Sequence, residues 1–330
     1  EDKFSAIVQY GVSNQNYQRE DFFDQPDNPI SDDENQIGGY FKGGLNYNFD
    51  DKNNAFFNAG YIERQPFFDA IFPNFANDVN EDAENETITS VEVGYGYTTR
   101  NLKVNLNLYN TLWGNRFFSR GVQLSETQDG TAQFSNVEQL HQGIELEIFS
   151  KPLPDLQVDV MLSIGDYRYN DNVEARVFDE NNEFVPSASN TLYLDDVKVG
   201  NSAQTTAAFS ADYKIIKGLS VDAGFRYFDN LFADFSPDDS EFLEADNKGA
   251  VELPNYTVAD AGFNYRFKFD QSNLFFRLNV NNVFDKEYIS ESRTNIHAGP
   301  NTQTYKGVAY GNAVNWGFGR TWNVSLNYNF

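Results

Sequence analysis

The sequence predicts an all-β protein, an antiparallel transmembrane β-barrel with about twelve strands in these 330 residues. Two features predict it. Stretches in which apolar and polar residues alternate strictly recur along the whole chain, and a period of two marks a strand with one apolar and one wet face. The connections between the stretches are alternately short and long. Barrels that put tight turns on one side of a membrane and long loops on the other have this layout. Composition agrees: aromatics are 16% of the chain, and no stretch approaches the roughly 18 apolar residues of a membrane helix. Only every second residue of a barrel strand faces lipid, so a polar average is expected.

Each alternating stretch defines a lipid-facing set. The first holds Phe4, Ala6, Val8 and Tyr10, the second Phe41, Gly43, Leu45, Tyr47 and Phe49, and the third Ala55, Phe57, Ala59 and Tyr61. The fourth holds Val91, Val93, Tyr95 and Tyr97, the fifth Leu102, Val104, Leu106 and Leu108, and the sixth Ile144, Leu146 and Ile148. The seventh holds Leu156, Val158, Val160, Leu162 and Ile164, the eighth Ala207, Phe209, Ala211, Tyr213 and Ile215, and the ninth Val221, Ala223, Phe225 and Tyr227. The tenth holds Ala261, Phe263, Tyr265 and Phe267, and the eleventh Leu274, Phe276, Leu278 and Val280. The opposite faces are polar, as in Lys103, Asn105 and Asn107, or Arg277, Asn279 and Asn281. Such groups need water or partners, because unpaired burial is expensive.

The twelfth stretch ends the chain. Trp322, Val324, Leu326, Tyr328 and Phe330 alternate with Asn323, Ser325, Asn327 and Asn329. A strand needs roughly 9–11 residues to cross a bilayer. The run resembles the closing strand of bacterial outer-membrane barrels, whose terminal aromatic is part of the signal read by the barrel-assembly machinery.

The short connections are Asp50-Asp51-Lys52-Asn53, Arg100-Asn101, Lys151 to Asp155, Lys217-Gly218 and Asp270 to Asn273, built of turn-forming residues. The long ones cover about 15–35, 65–86, 118–136, 170–198, 230–254 and 286–315. Long loops are expected outside the cell, and both ends of this segment on the periplasmic side. Acid concentrates in the long loops, as in Asp32-Asp33-Glu34 and Asp78 to Glu86. It reads as solvated loop surface. Asp78, Asn80, Asp82 and Glu84 alternate like cation ligands, but Ala83 and Thr89 stand where an EF-hand loop wants Gly and Glu. No metal site and no cofactor is expected.

A formal charge of −25 argues against nucleic acid, which needs clustered Lys and Arg. No cysteine is present, removing disulfide and thiolate-metal chemistry. The chain starts at Glu1 without a basic and then apolar leader. The expectation is a processed chain or the carboxy-terminal piece of something longer. Nucleophilic catalysis wants Ser activated by His. The two histidines, His141 and His297, lie on a lumen-facing position and in the last long loop, and no enzyme is expected.

Three segments carry a family resemblance. Leu278-Asn279-Val280-Asn281-Asn282-Val283-Phe284-Asp285-Lys286-Glu287-Tyr288 resembles the penultimate-strand signature of TonB-dependent outer-membrane receptors, with Val283 in place of the usual Leu. Gly60 to Asp69, followed by Asn85-Glu86-Thr87 entering Val91 to Tyr95, is similar to a loop and return strand of these barrels. Tyr213 to Val221 resembles a later turn. The family has about 22 barrel strands around a plug. The resemblance therefore implies that residues 1–330 are one domain, the carboxy-terminal part of such a barrel, with the plug outside this chain. It implies a Gram-negative outer membrane and uptake of a nutrient such as siderophore-bound iron, haem, a vitamin, or a glycan or peptide. The implied partners are outer-membrane lipid, the nutrient, and the TonB-ExbB-ExbD complex, reached through an amino-terminal part. The alternatives are a self-closed twelve-stranded passive pore and an outer-membrane hydrolase.

Ligand contact is expected where aromatics crowd the long-loop end. Gln65 to Phe75 contains Phe67, Phe68, Phe72 and Phe75, while Arg64, Trp113, Arg116 and Phe117 lie near strand ends. Exposed apolar patches are binding or packing surfaces. A membrane-interface girdle, or loops packed on one another, accounts for the same residues equally well. An anionic ligand would prefer Arg64 and Arg116, against the field of the acidic loops.

Overall fold

The computed structural model of the chain describes residues 3–23, 25–73, 76–235 and 239–330. All twelve alternating stretches become strands of one antiparallel sheet. In order they are Phe4–Tyr17, Glu34–Asn48, Asn53–Arg64, Glu86–Thr98, Leu102–Ser125, Gln128–Leu153, Leu156–Tyr169, Thr205–Ile216, Leu219–Asp229, Tyr256–Lys268, Asn273–Asn281 and Thr321–Asn329. Each pairs with its neighbour in this order. The short connections expected between them are tight turns.

The register keeps every expected lipid-facing set on one face. Phe57 lies opposite Leu45 and Val93. Leu106 lies opposite Tyr95 and Leu146, Leu162 opposite Leu146 and Ala207, and Leu278 opposite Phe263 and Val324. A slip of one residue at any pair would send a whole set to the other face. Phe41, Leu45, Phe57, Val93, Leu106, Phe209, Phe225 and Leu326 are all exposed on it. An apolar band this extensive is not a water-facing surface. The inner face is polar and internally paired: Asn58 donates to Glu92 at 3.0 Å and Asn105 to Glu147 at 3.2 Å. Gly94 makes room there for the Phe56 ring, which a Cβ would approach to 2.1 Å.

Among the described residues the first strand pairs only with the second and the twelfth only with the eleventh. The wall therefore has two free edges.

The long loops depart from expectation. Residues 118–136 are not an open loop. The fifth and sixth strands run on as a hairpin to Ser125 and from Gln128, and the strand Val173–Asp179 pairs with it. Most of the buried hydrophobic residues among the described residues lie at this long-loop end rather than in the membrane-spanning wall. Phe134, Val137, Val173, Val177, Leu192 and Phe242 form one cluster, and Leu231, Leu253, Ile289 and Val308 form a second. Several loop acids hold this packing together instead of facing only water. Arg120 pairs with Asp234 at 2.9 Å, Arg176 with Asp82 at 2.9 Å and Arg168 with Asp196 at 2.6 Å. Asn80 donates to the Ala70 carbonyl at 2.9 Å.

The Asn-Asn-Val-Phe-Asp-Lys run is a corner. Asn282, at φ 50°, ends the eleventh strand in the left-handed region, which Asn tolerates better than most residues. It is almost fully buried. Its amide donates to the carbonyls of Lys286 at 3.0 Å and Phe318 at 3.1 Å, and its Oδ1 accepts from the Lys286 N–H at 2.8 Å. Asp285 Oδ1 accepts from the Arg320 N–H at 2.7 Å. One short motif thus ties the exit of the eleventh strand to the entry of the twelfth.

Leu326→Arg should destabilise the protein in a bilayer by about 2–4 kcal/mol if the site is near the midplane, and Asn327→Arg by much less. Urea titration in lipid vesicles reads the difference; equal effects would refute the assignment of faces.

Candidate functional site

Arg64 ends the third strand directly opposite Glu86, which opens the fourth. Trp113 of the fifth strand lies opposite Ile88. Alternation puts Arg64, Glu86 and Trp113 together on the inner face at the long-loop end. Arg64 forms an ion pair with Glu86, whose side chain is almost wholly buried. The same guanidinium lies 4.7 Å from the Phe67 ring centre and 5.5 Å from that of Trp113.

Arg116 meets Trp113 from the other direction, 4.2 Å from its ring centre. An unbroken strand would put positions 113 and 116 on opposite faces. A bulge between them, with Asn115 at φ 53°, reverses the alternation. Arg116 is thereby brought to the inner face, and Phe117 lies on the opposite face from it. Arg116 Nη1 donates to Gln139 Oε1 at 2.5 Å. Trp113 Nε1 and Arg116 Nε are buried donors with no protein acceptor among the described residues. The next inner-face groups are aromatic. His141 stacks on Tyr167 at 4.8 Å, and the Tyr167 and Tyr109 hydroxyls are 2.8 Å apart.

The expected residues therefore divide. Arg64, Phe67, Trp113 and Arg116 come together. Phe68 is exposed beside them and packs at 5.1 Å on Phe72. Phe72 is corrected as a ligand contact: it is 2% exposed, clustered with Tyr17 and Ile71, and holds the loop together. Phe117 is half-buried, and alternation from Arg116 puts it on the other face. Phe75 lies outside the described residues. A hollow of about 820 Å³ opens beside the group, lined by Gln15, Tyr17, Arg64, Gln65, Phe67 and Phe68. Gln139, Tyr109 and Tyr167 were not anticipated, although inner-face alternation on strands five and seven marks both tyrosines.

At the other end of the wall, Trp322, Val324, Leu326 and Tyr328 lie on the outer face opposite Val280, Leu278, Phe276 and Leu274. Phe330 is fully exposed, its ring 6.2 Å from Tyr328.

Among the described residues the site offers two guanidinium groups, one of them ion-paired, flat aromatic faces and unused N–H donors. That chemistry suits an anionic or conjugated ligand.

A family model of the TonB-dependent receptor-like β-barrel matches residues 3–283. The chain belongs to that family. No curated protein matches it. Solved structures share its fold. The ferric-catecholate import receptor Fiu of E. coli K12, in its closed form, is 18% identical with a TM-score of 0.59, over 91% of this chain and 36% of its own. The copper transporter OprC is 16% identical with a TM-score of 0.65, over 98% and 45%. The ferric citrate transporter FecA, unliganded, is 13% identical with a TM-score of 0.63, over 98% and 43%. The chain thus spans less than half the length of each.

Arg64→Ala would leave the buried Glu86 carboxylate without its cation. The expected cost is about 1–3 kcal/mol, toward the lower end because Arg64 is partly solvated. Glu86→Gln in the same background should recover part of it. Thermal unfolding in detergent micelles reads both changes.

Proposed function

We propose that residues 1–330 form one domain, the carboxy-terminal part of the wall of a TonB-dependent transporter that takes up a scarce nutrient across a Gram-negative outer membrane. The long loops face outward and both ends of the segment lie in the periplasm. Lipid covers the apolar band, and the barrel-assembly machinery reads the twelfth strand through Phe330. Energy comes from the TonB-ExbB-ExbD complex, engaged by an amino-terminal part of the protein. The family match supports this reading, as do solved structures named for import of ferric catecholate, ferric citrate and copper.

One observation carries the assignment of a ligand site: the Arg64–Trp113–Arg116 stack lies on the inner face, where a ligand entering from the loops would meet it, and not on the lipid face, where an interfacial girdle would lie. Arg116, which forms no ion pair among the described residues, favours an anionic nutrient, such as a metal chelate. The enzyme alternative gains no support from the histidines, since His141 faces Gln139 and Tyr167 and His297 Nε2 contacts the Gly249 carbonyl at 3.0 Å.

Accumulation of labelled ferric chelates by cells expressing the native protein, with and without a protonophore, tests this. Uptake should collapse when the proton gradient is discharged. Arg116→Gln should weaken chelate binding by about tenfold or more, the value of one charge-assisted contact. Uptake indifferent to the protonophore would favour a passive pore.

A further inference from the structure

Arg116 is held by an amide at a position where a carboxylate would fit. Gln139 lies directly opposite Trp113 of the fifth strand and Tyr169 of the seventh, so its side chain stands on the inner face between them. It is 4% exposed. Its Oε1 accepts from Arg116 Nη1 at 2.5 Å and lies 3.5 Å from His141 Nε2. His141 is on the same strand and the same face, stacked on Tyr167. The Gln139 amide also hydrogen-bonds the buried Tyr169 phenol.

These three neighbours are a guanidinium, an imidazole and a phenol, and all three can donate to a carboxylate. A glutamate at 139 would keep the length and shape of the side chain and would gain an ion pair. The chain has 49 acids and 24 Lys and Arg, and the other guanidinium of the site, Arg64, is matched with the buried Glu86. Arg116 is not matched in this way: it forms no ion pair among the described residues. The carboxylates of the surrounding elements are engaged with other groups. Glu86 holds Arg64, and Asp234 pairs with Arg120 at 2.9 Å. Glu138 is next to Gln139 in the chain, but alternation puts it on the opposite face, where it accepts from Asn170.

We propose that Gln139 sets the charge selectivity of the ligand site, by fixing the Arg116 guanidinium against the Trp113 ring without neutralising it. An amide oxygen carries only a partial charge. It orients the guanidinium through a charge-assisted hydrogen bond and leaves its net charge for the ligand. A carboxylate in the same place would orient the guanidinium equally well and cancel that charge. The two arginines therefore differ in what they offer: Arg64 presents a neutralised pair beside the Phe67 and Trp113 rings, and Arg116 presents the net charge. Gln139 is a positioning residue, because it is buried and acts through Arg116. The inference rests on the reading of the Arg64–Trp113–Arg116 stack as the site of an anionic nutrient.

Equilibrium dialysis of two radioiron chelates against the native full-length protein in detergent micelles tests it. One chelate is an anionic ferric catecholate, the other the neutral ferric acetohydroxamate. Gln139→Glu should weaken the catecholate about tenfold or more, the value of one charge-assisted contact, and leave the neutral chelate nearly unchanged. A role in folding alone would move both together. Catecholate affinity unchanged in a folded Gln139→Glu protein, or both chelates weakened equally, would overturn the proposal. Gln139→Met keeps the charge of Arg116 and removes its tether, so the catecholate should weaken severalfold and still be preferred over the neutral chelate. Should Gln139→Glu fail to fold, unchanged catecholate affinity in Gln139→Met would overturn the proposal. Arg116→Gln, measured alongside, separates the two readings. If it weakens the catecholate and Gln139→Glu does not, the site stands and the inference fails. If Arg116→Gln has no effect, or the unaltered protein binds neither chelate, the site itself is misassigned and the inference falls with it.

Discussion

In hydrocarbon every backbone N–H and C=O must be paired within the protein, and the rest of this structure depends on that constraint. It explains why a chain whose residues are mostly polar crosses a membrane as a sheet, why each strand pairs with its neighbour in order, and why one face is a continuous apolar band. It also gives the two free edges their meaning. A strand edge in lipid leaves a row of donors and acceptors unsatisfied. Among the described residues the first and twelfth strands do not pair with each other, and the proposed function has further strands of the same protein cover both edges.

The inner face and the loops follow a different rule. With the outer surface committed to lipid, the residues that make a conventional core have only the long-loop end to occupy, and Phe134, Leu192, Leu194 and Phe242 are buried there. The loops thereby become a packed platform, cross-tied by ion pairs such as Arg120–Asp234, which fixes the approach to the Arg64–Trp113–Arg116 stack. A single bulge completes that stack, because it brings Arg116 to the face that carries Trp113.

Strand number, order and facing could be read directly from the sequence, because period-two alternation encodes one physical requirement per residue, lipid or water. The signature run from Asn281 to Lys286 is legible in the sequence as a resemblance, whereas its role as a corner held by Asn282 is visible only in three dimensions. The loops were harder. Val173, Ala175 and Val177 alternate as wall residues do, yet their apolar side chains are buried by the hairpin and not by lipid, and alternation does not distinguish the two. Phe72 is as apolar as Phe67, and only three-dimensional packing separates the buried ring from the exposed one. Phe117 and Arg116 exchanged faces through one left-handed Asn115, which strand periodicity does not register.

The intact mass of the native membrane protein that contains this sequence tests the central claim most directly. If the two edges are completed by strands beyond these residues, the mass should be about double that of the 330 residues or more, as in relatives of which the chain covers 36% to 45%. A mass matching the 330 residues alone would mean that the first and twelfth strands close on each other, and the account given for both edges would be wrong.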